Sequence, residues 1–278
     1  MRYIHLLIFS LGVALLVLAG YSLVGDPDLR LSMVNAAVLN AKGFAAAGAL
    51  LAMIRFSRGD YMRKAWAFAF IYSLALIEAD VWMLVIGPHV GPDATALGRG
   101  VFIVICNVFT VLSIWQFARA AHVSGLFAAT TRAQRLLTMV PAAAVALLIA
   151  GEPAWKNTVD LVGGDLAGLK GLISSLGDIA SFILVAPLVT TVLKLKDSPL
   201  RWPFIYIAAS ILSYLASDLT DLILRTMATA PLNVLTNIQD VCRVLGNLFV
   251  FSAGISQTMV LDFARDAARR AHAARAAA

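Results

Sequence analysis

The sequence is short of charge. Only 14% of its 278 residues are Asp, Glu, Lys or Arg, against about 25% in an ordinary soluble domain. Cysteine is scarce too. Cys106 and Cys242 form no Cys-x-x-Cys pair and both fall inside apolar blocks. That excludes a disulfide framework and a structural zinc site, and leaves two small buried apolar residues. The four histidines, His5, His89, His122 and His272, lie at helix ends or in the tail. No pair sits at membrane depth, so bis-histidine haem is excluded. Catalytic and phosphate-binding signatures such as His-Glu-x-x-His, Gly-x-Ser-x-Gly and the Walker loop are missing. No catalytic residue, metal site or cofactor is therefore expected. Asp218 and Asp221 share one helix, where a metal-diphosphate site draws carboxylates from two. The last helix lacks a lysine for a retinal Schiff base, and Lys42, in helix two, argues against a microbial rhodopsin.

What the chain has instead is apolar length. It is 60% hydrophobic, with mean hydropathy +0.85. The apolar residues fall in blocks near the roughly 20 needed to span a hydrocarbon core about 30 Å thick. Backbone amides have no water partner there, so each block is a helix or part of a closed barrel. Barrel strands need about 10 residues of alternating pattern. These blocks are twice that length and do not alternate, so the expectation is an all-α integral membrane protein. An apolar run from Ile4 follows Arg2, longer than a signal-peptide core and without a clean small-x-small end. It reads as the first span.

Eight spans are predicted: about Ile4–Val24, Met33–Ile54, Ala65–Ile86, Arg99–Phe117, Leu136–Ala150, Leu169–Leu193, Pro203–Leu224 and Leu235–Leu261. The fifth is the shortest, ending at Gly151-Glu152-Pro153 before a polar loop with Gly163 and Gly164. The formal charge of +6 sits in short loops, which is a topology signal rather than a nucleic-acid footprint. Fifteen of the 22 Lys and Arg fall on one side, including Arg55, Arg58, Arg63, Lys64, Arg119, Lys194, Arg201, Arg265 and Arg270. The positive-inside rule makes that side cytoplasmic, with both termini there, in the inner (plasma) membrane. Residues 1–262 form one transmembrane bundle, and 263–278 a basic, helix-prone tail.

A weak repeat suggests halves at 1–120 and 133–262. Helix three follows Arg63-Lys64-Ala65-Trp66, and helix seven follows Leu200-Arg201-Trp202-Pro203. Asn107 and Asn247 recur in helices four and eight as Cys106-Asn107-Val108-Phe109 and Gly246-Asn247-Leu248-Phe249. Four crossings return a chain to its starting side, so the repeat would be parallel.

Ionisable groups in hydrocarbon are costly and usually face a bundle interior or wet cavity. Here they are Lys42, Glu78, Asp80, Asp178, Asp218, Asp221, Asp240 and Arg243, joined by Asn107 and Asn247. At about 1.5 Å per residue, Lys42 lies roughly 20 Å above Arg55, and Glu78 roughly 21 Å above Lys64. On the same measure Asp178 is roughly 24 Å above Lys194 and Asp218 roughly 25 Å above Arg201. All are in the outer half. The expectation is a polar pocket opening outward above a dry inner half, lined by Lys42, Glu78, Asn107, Asp178, Asp218, Asp221, Asp240, Arg243 and Asn247. Asp240 and Arg243, three apart, can pair. Glu78 and Asp80, two apart, point nearly opposite ways, so only one lines the pocket.

One stretch has a likeness. Leu176-Gly177-Asp178, the charged turn from Lys194 to Arg201, and Ala216-Ser217-Asp218-Leu219 resemble the multi-helix N-terminal sensor region of some bacterial membrane diguanylate cyclases and histidine kinases. The stretch ending Glu78-Ala79-Asp80 is similar to an earlier part of that region. The resemblance covers about two-thirds of the chain. Those proteins continue into a catalytic domain and this chain ends. The resemblance implies a membrane sensor or regulatory subunit that binds a small molecule or cation in the pocket. It would signal through the tail to a cytoplasmic partner. A proton- or cation-coupled transporter and an intramembrane lipid-modifying enzyme remain open alternatives. The tail could equally rest on anionic lipid.

Overall fold

The structure, a computed structural model, describes residues 2–125, 131–164, 167–195, 198–226 and 232–277. Lys196 and Asp197 of the charged turn lie outside the described residues, as do the side chains of Arg2, Arg132, Arg135, Lys194 and Arg225.

The protein is all-α, with no strand among the described residues and eight helices long and apolar enough to cross a membrane. They are α1 (Arg2–Leu23), α2 (Pro27–Ile54), α3 (Tyr61–Val81), α4 (Pro92–Val123), α5 (Arg132–Val162), α6 (Ala167–Lys194), α7 (Arg201–Thr226) and α8 (Leu232–Ala277). Several begin before their apolar block because a cap starts them. The Asp26 carboxylate accepts from the Asp28 and Leu29 amides, with Pro27 in the first turn. Asp60 accepts from the Met62 amide at 2.8 Å. Thr131 and Gln134 form a reciprocal capping box that opens α5. Such caps satisfy amides that the first turn leaves without partners.

The fifth span corrects the sequence reading. α5 has 31 residues and runs through Gly151-Glu152-Pro153, ending at Gly163. Proline removes one backbone hydrogen bond, but membrane helices tolerate that where neighbours compensate. Here α6 packs closely along α5. A Cβ on Gly168 would lie 2.6 Å from the Asn157 carbonyl oxygen, so glycine is what allows the approach. The turn that does end α5 uses Gly164, at φ +92°.

α3 loosens near its end. Trp82–Ile86 is π-helical, with the Gly87 amide bonding back to the Trp82 carbonyl, before a last turn over Gly87–Val90. Pro88 has no amide to continue the α ladder. Gly91, at φ +79°, turns the chain into α4. Thr95 Oγ1 then donates towards the Gly87 and Gly91 carbonyls, at 3.0 and 2.6 Å.

Six helices form a ring in the order α2, α3, α4, α6, α7, α8, with α8 returning to α2. Outside it, α1 packs on α8 and α5 on α6. Their outward leucines, such as Leu16 and Leu148, are over 70% exposed, as suits a surface solvated by hydrocarbon rather than water. Inside, small residues let backbones approach: Ala45, Ala49, Ala65, Ala69 and Ala253 are fully buried. Two backbones meet closely where α2 crosses α8. A Cβ on Gly48 would fall 2.7 Å from the Phe251 Cα, and one on Gly254 closer still to the Gly48 carbonyl.

The ring has the same neighbour order in its two halves: α2–α3–α4 is repeated by α6–α7–α8, and α4–α6 is matched by α8–α2. Part of the burial pattern recurs, at a separate offset for each pair of helices. Ala65, Trp66, Ala69, Tyr72 and Ala79 of α3 correspond to Pro203, Phe204, Ile207, Ser210 and Ser217 of α7, all buried. Cys106, Ser113, Ile114 and Gln116 of α4 correspond in the same way to Gly246, Ala253, Gly254 and Ser256 of α8. Ala45, Ala46, Ala49 and Ala52 of α2 correspond to Ser181, Phe182, Val185 and Leu188 of α6. This register keeps Asn107 opposite Asn247 but shifts α3 against α7, setting Trp66 against Phe204 rather than Trp202.

Contacts between helix ends fix one common face. Arg55, after α2, pairs with Asp262 of α8 at 3.3 Å. The Arg119 guanidinium lies over the Tyr61 ring, joining the end of α4 to the start of α3. Tyr3 stacks on Trp202, joining the starts of α1 and α7. We call this the basic face.

A carboxylate-lined cavity between four helices

A cavity of about 190 Å³ lies between α3, α4, α6 and α7. One water needs about 10–15 Å³ of such space, so the volume suits a small organic molecule. Helical periodicity supplies its walls. Ser174, Asp178 and Ser181 recur at three- to four-residue spacing on α6, and Ser210, Tyr214 and Asp218 do so on α7. Asn107, Thr110, Ser113 and Cys106 come from α4, and Tyr72 from α3.

The cavity is polarised along the bundle. Ile207 on α7 is about 9 Å from the start of that helix at the basic face, and Asp218 about 25 Å. The end nearer the basic face is apolar: Ile114, Phe117 and Ile207. Phe117 is sealed from below by the buried Trp66 ring, edge to face at 5.0 Å. The far end carries Asp178, Asp218 and Asn107, with Tyr214 one turn before Asp218. Asn107 Nδ2 and Tyr214 Oη are shielded from solvent and have no hydrogen-bond partner among the described residues. No Lys, Arg or His is among the lining residues.

Of the nine pocket residues expected from the sequence, the cavity gathers three: Asn107, Asp178 and Asp218. The other six lie elsewhere. Lys42 is buried between α2 and α3, donating to Asp80 Oδ2 at 2.5 Å and to the Leu76 carbonyl at 3.4 Å. Glu78 faces out of the bundle and is exposed. Neither it nor Asp80 lines the cavity. Asp221 lies one turn beyond Asp218, outside the lining. Asp240 and Arg243 pair at 3.4 Å as expected, but at the α1–α8 contact, where the Tyr21 hydroxyl also donates to Asp240 at 2.7 Å. Arg243 is exposed, yet near enough to act electrostatically on Asp218. Asn247 is fully buried, its Nδ2 donating to the Arg243 carbonyl one turn back. Depth in the membrane alone could not separate these sites, because it carries no information on which way each helix faces.

The hydroxyl lining was missed. Ser174, Ser181 and Ser210 were legible only as the same-face companions of Asp178 and Asp218. Tyr214 matters for a second reason. Its ring lies against Gly246 of α8, where a Cβ would come within 2.9 Å of Cε2. One side chain thus touches both the cavity and α8.

Both cysteines are free, with Cys106 buried in the cavity wall. Among the described residues no cluster of three or more His, Cys, Asp or Glu could hold a metal ion. No protein-family model, curated protein or solved structure matches the chain.

Proposed function

We propose that this protein is a membrane sensor or regulatory subunit. It binds a small ligand or cation in the α3–α4–α6–α7 cavity and reports occupancy through α8 to a cytoplasmic partner. The observation that carries this reading is Tyr214, which lines the cavity while its ring seats on Gly246 of α8. α8 is one unbroken helix of 46 residues, about 69 Å long. That is more than twice the span of a hydrocarbon core about 30 Å thick. Phe263–Arg275 is exposed throughout and carries the helix about 20 Å further. A ligand that moves Tyr214 pushes directly on a rod that leaves the membrane. The likeness of the Asp178 and Asp218 stretches to bacterial sensor regions points the same way. The basic face, rich in arginine, is the cytoplasmic one on this reading.

The test is a cross-linked pull-down from native membranes, comparing the full chain with one lacking residues 263–278. A partner retained by the first and lost by the second is expected. Equal recovery of the same proteins by both would overturn the signalling role.

The matched halves of the ring favour a second reading, a small transporter, since parallel repeats are a common transporter plan. Proteoliposomes distinguish the two. A sensor moves no substrate, whereas a carrier shows uptake that falls on Asp218→Asn substitution.

A further inference from the structure

The two halves of the ring carry different side chains at positions that correspond in this alignment of their helices. In the burial register, Lys42 of α2 corresponds to Asp178 of α6, and Asp80 of α3 to Asp218 of α7. Leu76, four residues before Asp80, corresponds to Tyr214. In the first half an ammonium sits between the second and third helices, held by a carboxylate and by the carbonyl one turn earlier. That ammonium belongs to the chain. In the second half both positions are carboxylates, and they border a cavity.

Resting on the ligand-cavity reading above, we propose that the cavity binds a small organic ammonium, a primary amine with a short apolar body. The amine sits between Asp178 and Asp218, as Lys42 sits beside Asp80. The remaining wall chemistry fits this ligand. Asn107 and Tyr214 add polar side chains to the wall beside the carboxylates. The apolar end formed by Ile114, Phe117 and Ile207 takes the body. A bare metal ion fits less well, because it would leave that apolar end unfilled, and no three-ligand cluster is present among the described residues. An anion is disfavoured by the two carboxylates on the wall. Arg243 acts on Asp218 from α8 but does not border the cavity.

Cys106, in the cavity wall, provides the readout. In a Cys242→Ala background reconstituted in nanodiscs, the rate of Cys106 modification by a small neutral methanethiosulfonate is measured alone. It is then measured with isobutylammonium, 2-phenylethylammonium, isobutanol, sodium or calcium chloride, or acetate. The two amines are expected to protect Cys106, and the alcohol, salts and acetate to leave it unchanged. A small cationic methanethiosulfonate should react faster than the neutral one. The Asp178→Asn/Asp218→Asn pair should reduce that preference by about tenfold, a change of the size expected for two carboxylates about 6 Å from the reagent's charge in a water-filled cavity of dielectric about 80. The neutral rate in that variant reports whether the fold survives; if it does not, Asp218→Asn alone serves. Protection by the alcohol, acetate or metal salts instead of the amines overturns the ammonium assignment while leaving a ligand cavity. No modification of Cys106 by either reagent overturns both.

Discussion

Removing one partner of the Lys42–Asp80 pair should cost far more than removing both. The pair lies between α2 and α3 with side chains only 11% and 19% exposed. Lys42 Nζ reaches one carboxylate oxygen and one carbonyl, so each charge depends on the other for solvation. Breaking a buried pair from one side costs about 3–5 kcal/mol, because the other charge stays behind without compensation. Asp80 keeps some access to water, so about 3 kcal/mol is expected for Lys42→Met and for Asp80→Leu. The double variant replaces the pair with apolar groups of similar volume and should fall within about 1 kcal/mol of the original protein. Adding the two single losses therefore overstates the double loss by about 5 kcal/mol. The assay is reversible denaturant unfolding in bicelles, followed by far-ultraviolet circular dichroism for all four proteins. Additive losses, or single losses below about 1 kcal/mol, would refute the claim that the two charges solvate each other.

Four further outcomes follow from packing and topology. Gly254→Ala drives a methyl into the Gly48 backbone; neither backbone can yield, so a loss near the upper end of about 1–3 kcal/mol is expected in the same unfolding assay. Leu188→Ala, at a fully buried position, should cost about 2–5 kcal/mol, while Leu148→Ala on the outer surface of α5 should stay within about 0.5 kcal/mol. Gly246→Ala pushes on the Tyr214 ring at 2.9 Å, and the reading that α8 senses the cavity predicts altered hydrogen exchange in residues 263–277 with little change at Ile4–Val17; equal exchange in the tail would count against it. A cysteine placed at Arg270 in a chain lacking Cys106 and Cys242 should react with an impermeant thiol reagent only from the cytoplasmic side of sealed vesicles.

The spans were legible because bilayer thickness imposes a length that few other constraints imitate. Their ends were not. Capping by Asp26, Asp60 and the Thr131–Gln134 box carries helices past the apolar blocks, and hydropathy is blind to a hydrogen bond. α5 was read short for a related reason: Gly151-Glu152-Pro153 has the composition of a turn, yet the helix continues through it where α5 packs along α6. In the site, Asp178 and Asp218 were found from depth, and Asn107 from its resemblance to Asn247. Asp240 with Arg243 was found from spacing within one helix. Lys42 with Asp80 was not, since the two are brought together by the rotation of α2 against α3, which no single helix encodes. Glu78 was included because it shares the depth of the others, and it faces the opposite way.

The like order of neighbours around the ring bears on how such a molecule is assembled. A four-helix unit on its own would expose two open flanks and would have to find a second copy, inserted the same way up, before its polar residues left the lipid. Joining both units in one polypeptide makes that encounter intramolecular. On the ammonium reading proposed above, it also releases the two sites from identity, so that one keeps a permanent internal cation while the other exchanges its own with the surroundings.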